Sequence, residues 1–365
     1  MNCSRSFADF MQEALYNPEH GYYASGRVNI GKQGDFFTNV SIGKIYGHIL
    51  TFVFQEVWER LGKPQEFFIV EQGAHDGRLA HDILETLQEV QSERRDFAAS
   101  IHYYIVEPLP FHRKRQQETL KNFTNIAWVS TIQELPLFEG VHFSNELLDA
   151  FPIHLLSWDG SVWLEKRVTT NDGQHFSWIT KPIENKALHK VALSLPTHLP
   201  IGFQWEVRLG VQPWLDDIAK RMKRGVILIA DYGYAGDDRF APYRKDGSIA
   251  CYQGHHRYDN PLEKPGQRDI SAHVDFTDLT TKALETGWDI LGYNDQHHFL
   301  IGASEQWLRS FEEKTLDAST QKNLRYLRTL LHPETMGRQF KFLGLGRNIF
   351  LESPLSAFRY GNHLT

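Results

Sequence analysis

Apolar positions recur at helical spacing twice before residue 60. Phe7, Phe10, Met11, Ala14 and Leu15 form one stripe, with Ser6 and Asp9 spaced like a capping box ahead of it and Asn17-Pro18 ending it. Ile42, Ile45, Tyr46, Ile49, Leu50, Val53 and Val57 form a longer stripe that closes before Gly62 and Pro64. The pattern then shortens. Residues 67–70, 102–106, 141–143 and 226–230 are compact apolar runs of the kind buried on both faces of a parallel sheet. After the first run, Leu79, Ile83, Leu84 and Leu87 return to helical spacing. Strand and helix in alternation predict an α/β domain that starts at Phe67 behind two N-terminal helices.

A different rhythm interrupts this domain. Residues 155–158, 162–168 and 175–179 are short strand-like runs separated by Asp159-Gly160 and Asn171-Asp172-Gly173, which read as hairpin turns. Residues 205–222 read as a helix, after which the run at 226–230 resumes the sheet. Residues 233–265 are polar, aromatic and rich in glycine and proline, a loop long enough to suggest a function. Residues 288–301 and 340–350 supply two last strands around a helical stretch at 305–331. The expected organisation is a helical cover at 1–62, the first part of the sheet domain at 63–153, an inserted β-meander and helix at 154–222, and the rest of the sheet at 223–365 with a long acceptor-site loop at 233–275.

The chemistry concentrates in residues 66–84, EFFIVEQGAHDGRLAHDIL. Gly73 to Gly77 join a strand to a helix, where glycine lets the chain bend and lets a ligand approach backbone next to unpaired helix N–H groups. Glu107 ends the next strand, thirty residues beyond Gly77, where an acid can accept both ribose hydroxyls. The dinucleotide fingerprint G-x-G-x-x-G is missing. Glu71 just before the turn would oppose a pyrophosphate, so a cofactor with a cationic end, S-adenosylmethionine, suits this turn better than a nicotinamide dinucleotide.

Several segments resemble the MidA/NDUFAF-type family of S-adenosylmethionine-dependent methyltransferases, whose mitochondrial members are protein arginine methyltransferases that assist complex I assembly. They are FADFMQEALYNPEHGYY (7–23), GDFFTNVSIGKIYG (34–47), EQGAHDGRLAHDIL, SNELLDAFPI (144–153), ADYG (230–233), PGQRDISAHVDFTDL (265–279) and PETMGRQFKFL (333–343), in order along nearly the whole chain. The resemblance implies a Rossmann-like class I methyltransferase sheet, closed by an antiparallel pair, with N-terminal helices and an inserted β-meander and helical substrate region. It implies S-adenosylmethionine as cofactor, held by Glu71, Gly73, Gly77, Glu107 and Asn145, with Gly34, Asp35 and Thr38 in a lid over its methionine end. One departure stands out. The family loop resembles E-L-G-P-G-R-G-T-L, and here His75 puts a side chain where that loop leaves bare backbone.

Residues 144–152 place an amide and two acids at one strand tip, where open α/β sheets bind ligands. An arginine acceptor arrives charged, and carboxylates can grip it through paired hydrogen bonds and take its released proton. Glu146 is the expected acceptor-orienting acid, Asp149 its second, and Asn145 a positioner near the donor. A plainer reading has Asn145 capping a helix with Asp149 in its first turn. Asp231, Tyr232, Gly233, His256, Arg257, Asp269 and residues 273–275 fit an acceptor cleft, whereas Tyr22 and Tyr23 read as packing residues.

Composition narrows the remaining classes. A formal charge of −6 argues against a nucleic-acid backbone as partner, and the basic clusters at 113–115 and 220–224 read as solvated helix faces. Cys3 and Cys251 are the only two cysteines and carry no pairing motif, which points to a reducing compartment with no disulfide or zinc. Adjacent histidine pairs diverge rather than converge, so no metal is expected. No apolar run reaches the ~20 residues that span a bilayer, and no presequence is evident, which leads to the expectation of a bacterial cytoplasm. The expected partner is a protein that offers an arginine, with a possible homodimer through the apolar N-terminal helices. The alternatives are a non-catalytic assembly or binding factor that kept the fold, and a nicotinamide oxidoreductase.

Overall fold

The computed structural model describes residues 4–24, 39–89, 95–173, 175–254, 256–309, 311 and 316–361. The chain divides into two compact units. An insert unit takes residues 1–37, 148–213 and 234–275, and a sheet unit takes 38–147, 214–233 and 276–365.

In the sheet unit, the apolar runs form β1 (Phe67–Gln72), β2 (Ile101–Val106), β3 (Ile126–Val129), β4 (Phe138–Asn145), β5 (Met222–Tyr234), β6 (Asp289–Asp295) and β7 (Phe340–Arg347). Their spatial order is β6-β7-β5-β4-β1-β2-β3. Strands β3, β2, β1, β4 and β5 run parallel, and β7 is antiparallel to both β5 and β6. The chain leaves β1 toward β2 and β3, then returns to β4 on the other side, so the order reverses between β1 and β4. Such a switch point opens a crevice at the carboxyl ends of the strands. Register sets those ends level, since Gln72 pairs with Val106 on one side and Ser144 on the other.

Helix Ile45–Arg60 packs its stripe into this unit's core, with Ile45, Tyr46, Ile49, Leu50, Val53 and Val57 all 2% exposed or less. Burying each such side chain is worth about 1.5–3 kcal/mol, which makes the stripe the main reason for the helix to dock.

The insert unit is antiparallel. Strands Arg5–Ser6, Trp163–Thr170, His154–Trp158 and Gln204–Val207 lie in that order, with Phe176–Lys181 also on Trp163–Thr170. The two hairpins fall at the turns expected from Asp159-Gly160 and Asn171-Asp172-Gly173. Helix Phe7–Tyr16 starts at Ser6, whose hydroxyl accepts the Asp9 N–H at 3.0 Å, and its stripe is buried with Ile153, Leu155 and Val168. The first helix therefore belongs to the insert unit, although the sequence pattern groups it with the second as one cover.

Four sequence expectations change. Residues 205–222 are not one helix: 205–207 complete a strand, and the helix is Val211–Arg221. The segment 233–265 is not a plain loop, because Ala250–Gln253 is the centre of a three-stranded sheet with His256–Tyr258 and Asp269–Ser271. Residues 288–301 switch at 295 from strand to helix Gln296–Arg309, and the stretch from 305 divides between that helix and Ala318–Leu331. In each of these segments apolar and polar residues mix across the junction of two elements, so periodicity alone does not mark the break.

Candidate active site

The turn after β1 has three left-handed backbone positions, Gly73 (φ 83°), His75 (φ 46°) and Gly77 (φ 81°). A side chain at Gly73 would carry that strain and bring its Cβ to 3.3 Å from Leu147. Gly77 N–H closes the turn onto the Ala74 carbonyl at 2.7 Å, and Asp76 caps helix Arg78–Glu89 by accepting the Arg78 N–H at 3.1 Å. Against burial, His75 first and then the Arg78 N–H hold the Asp76 carboxyl down to about 2.

His75 does not break the turn. Its ring faces His112 with centroids 5.4 Å apart, and its Nε2 is buried with no hydrogen-bond partner among the described residues. Its carbonyl accepts the Gln116 side-chain amide at 3.0 Å.

Glu107 sits one residue past β2 and is 6% exposed. Its Oε1 accepts the Leu109 N–H and its Oε2 the Gln116 amide, both at 2.9 Å. Burial pushes the carboxyl up to about 7 against the opposing pull of these donors and Arg113. A carboxylate offers about four lone-pair sites. Two are used here, which leaves two for a vicinal diol. The residues at this tip therefore fit a nucleoside cofactor: a left-handed glycine turn, an orphaned buried ring nitrogen beside it, and an acid with acceptor capacity left over.

Glu71 is the acid expected to contact the cofactor from just before the turn. Its carboxylate is 3% exposed and turned inward, where Oε2 accepts the Tyr103 hydroxyl at 2.6 Å. Burial raises it to about 7, opposed by the phenol hydrogen bond.

At the end of β4, the Tyr46 hydroxyl donates to Asn145 Oδ1 at 2.9 Å, and Asn145 Nδ2 donates to Glu146 Oε1 at 3.0 Å. Glu146 has φ 53°, and its N–H donates to the Ala230 carbonyl at 2.9 Å. Leu147 N–H then reaches Asp231 Oδ2 at 3.2 Å. Bends and turns follow, with no helix before His154, so Asn145 is not a helix cap. Strain on a non-glycine residue, held by bonds on both sides, is common at working sites.

The sheet unit thus brings Gly73, Gly77, Glu107, Asn145 and Glu146 to the carboxyl ends of neighbouring strands. Gly34, Asp35 and Thr38 lie outside the described residues.

Asp149 belongs to the insert unit, where burial pushes its carboxyl up to about 6 against the pull of Arg208. Arg208 donates to the carbonyls of Leu148 at 2.9 Å, His273 at 2.8 Å and Ala272. Tyr23 is more than packing, since its hydroxyl donates to Asp269 Oδ1 at 2.8 Å. His273 is held down to about 4 by burial and then by Arg244, Arg208 and Arg257.

Sequence reasoning missed Tyr46, Tyr103, Gln116 and Trp128. It also read residues 113–115 as a solvated face, whereas Arg113 donates to the Glu107 carbonyl at 2.9 Å and Ser130 Oγ at 3.1 Å. Among the described residues one trio has metal-ligand spacing, His81, Asp82 and Glu85, but the Lys44 ammonium already lies 3.6 Å from Glu85.

A family model described as S-adenosyl-L-methionine-dependent methyltransferase matches residues 49–294. Protein arginine methyltransferase NDUFAF7, mitochondrial, of Danio rerio is 28% identical over 367 residues, covering 93% of this chain and 83% of its own length. The human protein of that name is 26% identical over 363 residues, covering 93% and 79%. A COG1565 superfamily member from Burkholderia thailandensis, solved bound to S-adenosyl-homocysteine, aligns with a TM-score of 0.85 at 25% identity, covering 98% of this chain and 91% of that one. These matches set aside a nicotinamide oxidoreductase.

They also correct the expected bacterial cytoplasm, because the curated relatives are mitochondrial by name. A first helix near residue 1 carries no information about a compartment. No helix among the described residues is long and apolar enough to cross a membrane.

Proposed function

We propose that this chain, which belongs to the S-adenosyl-L-methionine-dependent methyltransferase family, transfers the methyl group to an arginine side chain of a protein. Relatives at 26–28% identity over 93% of the chain bear the name protein arginine methyltransferase, which supports that acceptor. S-adenosylmethionine, when bound, supplies a methyl carbon activated by its positive sulfur. The protein's part is to hold the donor, align the acceptor and manage one proton.

Gly73 and Gly77 admit the cofactor to the backbone of the turn, and Glu107 accepts its ribose hydroxyls. Glu71 braces the turn from inside through Tyr103 rather than touching the ligand. Asn145 positions groups near the donor. Glu146 grips the guanidinium, which is charged at any physiological pH, and its carboxylate is where the released proton goes.

The observation that carries this reading is the braced strand tip, with Tyr46, Asn145 and Glu146 linked by hydrogen bonds of 2.9 and 3.0 Å on a left-handed backbone. Its test is transfer of labelled methyl into proteins of a mitochondrial lysate, followed by acid hydrolysis. Label should be recovered as methylarginine with the native chain and not with Glu146→Gln. Label recovered only in another residue type would refute arginine as the acceptor.

A further inference from the structure

Helix Pro110–Thr119 is mostly polar, and its one large apolar residue, Phe111, is exposed, yet Gln116 on it is 0% exposed. Its side chain makes three hydrogen bonds. Nε2 donates to Glu107 Oε2 at 2.9 Å and to the His75 carbonyl at 3.0 Å, while Oε1 accepts the Trp128 indole N–H at 3.1 Å. These partners admit one orientation of the amide, because an indole can only donate and a carboxylate and a carbonyl can only accept. Turned over, the amide would set its oxygen against both acceptors and its protons against the indole.

We propose that Gln116 is a positioning residue for cofactor recognition: it ties the Glu107 carboxylate to the glycine turn, so that the ribose-binding acid and the backbone that receives the ligand are presented as one preset unit. The inference rests on the reading of Glu107 as the ribose acid. The tie acts at both ends. At His75 it holds the carbonyl of a non-glycine residue in the left-handed region (φ 46°), a conformation that needs outside support. At Glu107 it supplies an N–H to the ionised carboxylate, countering the burial that drives it toward the neutral acid. Trp128 on β3 keeps the amide facing the right way. Fixing these groups before the ligand arrives removes an ordering cost from binding.

The test is titration of S-adenosylhomocysteine into the full chain between pH 6 and pH 9, for the native protein, Glu107→Ala, Gln116→Met, Trp128→Phe and the Glu107→Ala/Gln116→Met pair. Gln116→Met keeps the length of the side chain and removes its donors. It should weaken binding about tenfold near neutral pH. The loss should shrink toward pH 9, because the pH midpoint of binding moves up by about one unit when the donor to the carboxylate is gone. In the Glu107→Ala background the same change should cost less than about twofold, since its target is missing. Trp128→Phe should act in the same direction, more weakly.

Affinity unchanged in Glu107→Ala would refute the ribose reading itself. A loss in Glu107→Ala but none in Gln116→Met, or a Gln116→Met loss equal at every pH, would reduce Gln116 to packing and overturn the proposal. Should Gln116→Met fail to fold, Trp128→Phe decides: it leaves the amide in place but free to turn, and unchanged binding refutes the tie.

Discussion

The tips of β2 and β4 each carry a glutamate, and the two are built in opposite ways. Glu107 is buried, and both its carboxylate oxygens are already held by protein donors. Glu146 sits on left-handed backbone, anchored through its N–H to Ala230, with Asn145 on Oε1. The first arrangement suits a group that recognises the same diol in every turnover. The second suits a group that meets a changing partner and stores strain where the reaction occurs. Glu71, one strand away, marks a third case. It titrates at about 7, as Glu107 does, but its carboxylate is committed to Tyr103. A raised carboxyl alone therefore does not distinguish a binding acid from a brace; the partners do.

The contrast breaks most completely at the turn between these tips. Gly73→Val puts a β-branched residue at φ 83° with its Cβ at 3.3 Å from Leu147. Binding of S-adenosylhomocysteine should fall beyond detection by titration, and a variant with native circular dichroism that still binds would remove the turn from the site. Glu146→Gln tests the reacting end. Methyl transfer should drop by about a hundredfold or more while cofactor affinity changes less than about threefold, because a neutral amide can neither grip a guanidinium strongly nor take its proton. Equal loss of binding and transfer would place Glu146 with the recognition acids instead. Glu107→Ala tests the other end and should weaken S-adenosylhomocysteine by about a hundredfold, the sum of two hydrogen bonds to a charged group.

Much of this architecture is legible in the amino-acid pattern. The run at 67–70, the helical stripe of Leu79, Ile83 and Leu84, and the glycines between them anticipate β1, the turn and helix Arg78–Glu89, because buried strands and amphipathic helices leave strong periodic traces. Glu107 and Glu146 stand out as acids that end apolar runs. Gln116 leaves no such trace. It is a polar residue on a helix whose only other buried member is His112, so its burial depends on β2 and β3 arriving beside it. Tyr46 reads as one more member of an apolar stripe, and only the fold shows that its hydroxyl reaches Asn145. The inward turn of Glu71 is equally hidden, since an acid before a glycine turn has the same spelling whether it faces ligand or core.

The smallest expected effect, Glu71→Gln, sharpens the distinction between brace and binder. The Glu71 carboxyl titrates at about 7 in the folded chain and near its ordinary 4.5 when exposed, with burial as the main cause. Its contribution to stability is therefore complete below about pH 4.5 and is lost as pH rises through about 7, when a buried group must ionise. The difference amounts to about 3 kcal/mol at most. Glutamine keeps the shape and a carbonyl oxygen for the Tyr103 hydroxyl but does not titrate. Relative to the native chain, Glu71→Gln should gain stability between pH 5 and pH 8, read as a Tm difference of a few degrees that grows with pH, while cofactor affinity stays within about threefold. A Tm difference that is the same at both pH values would mean that the carboxyl is already ionised at pH 5. Glu71 would then be charged in the core beside a phenol, and the contrast with Glu107 would have to rest on geometry alone.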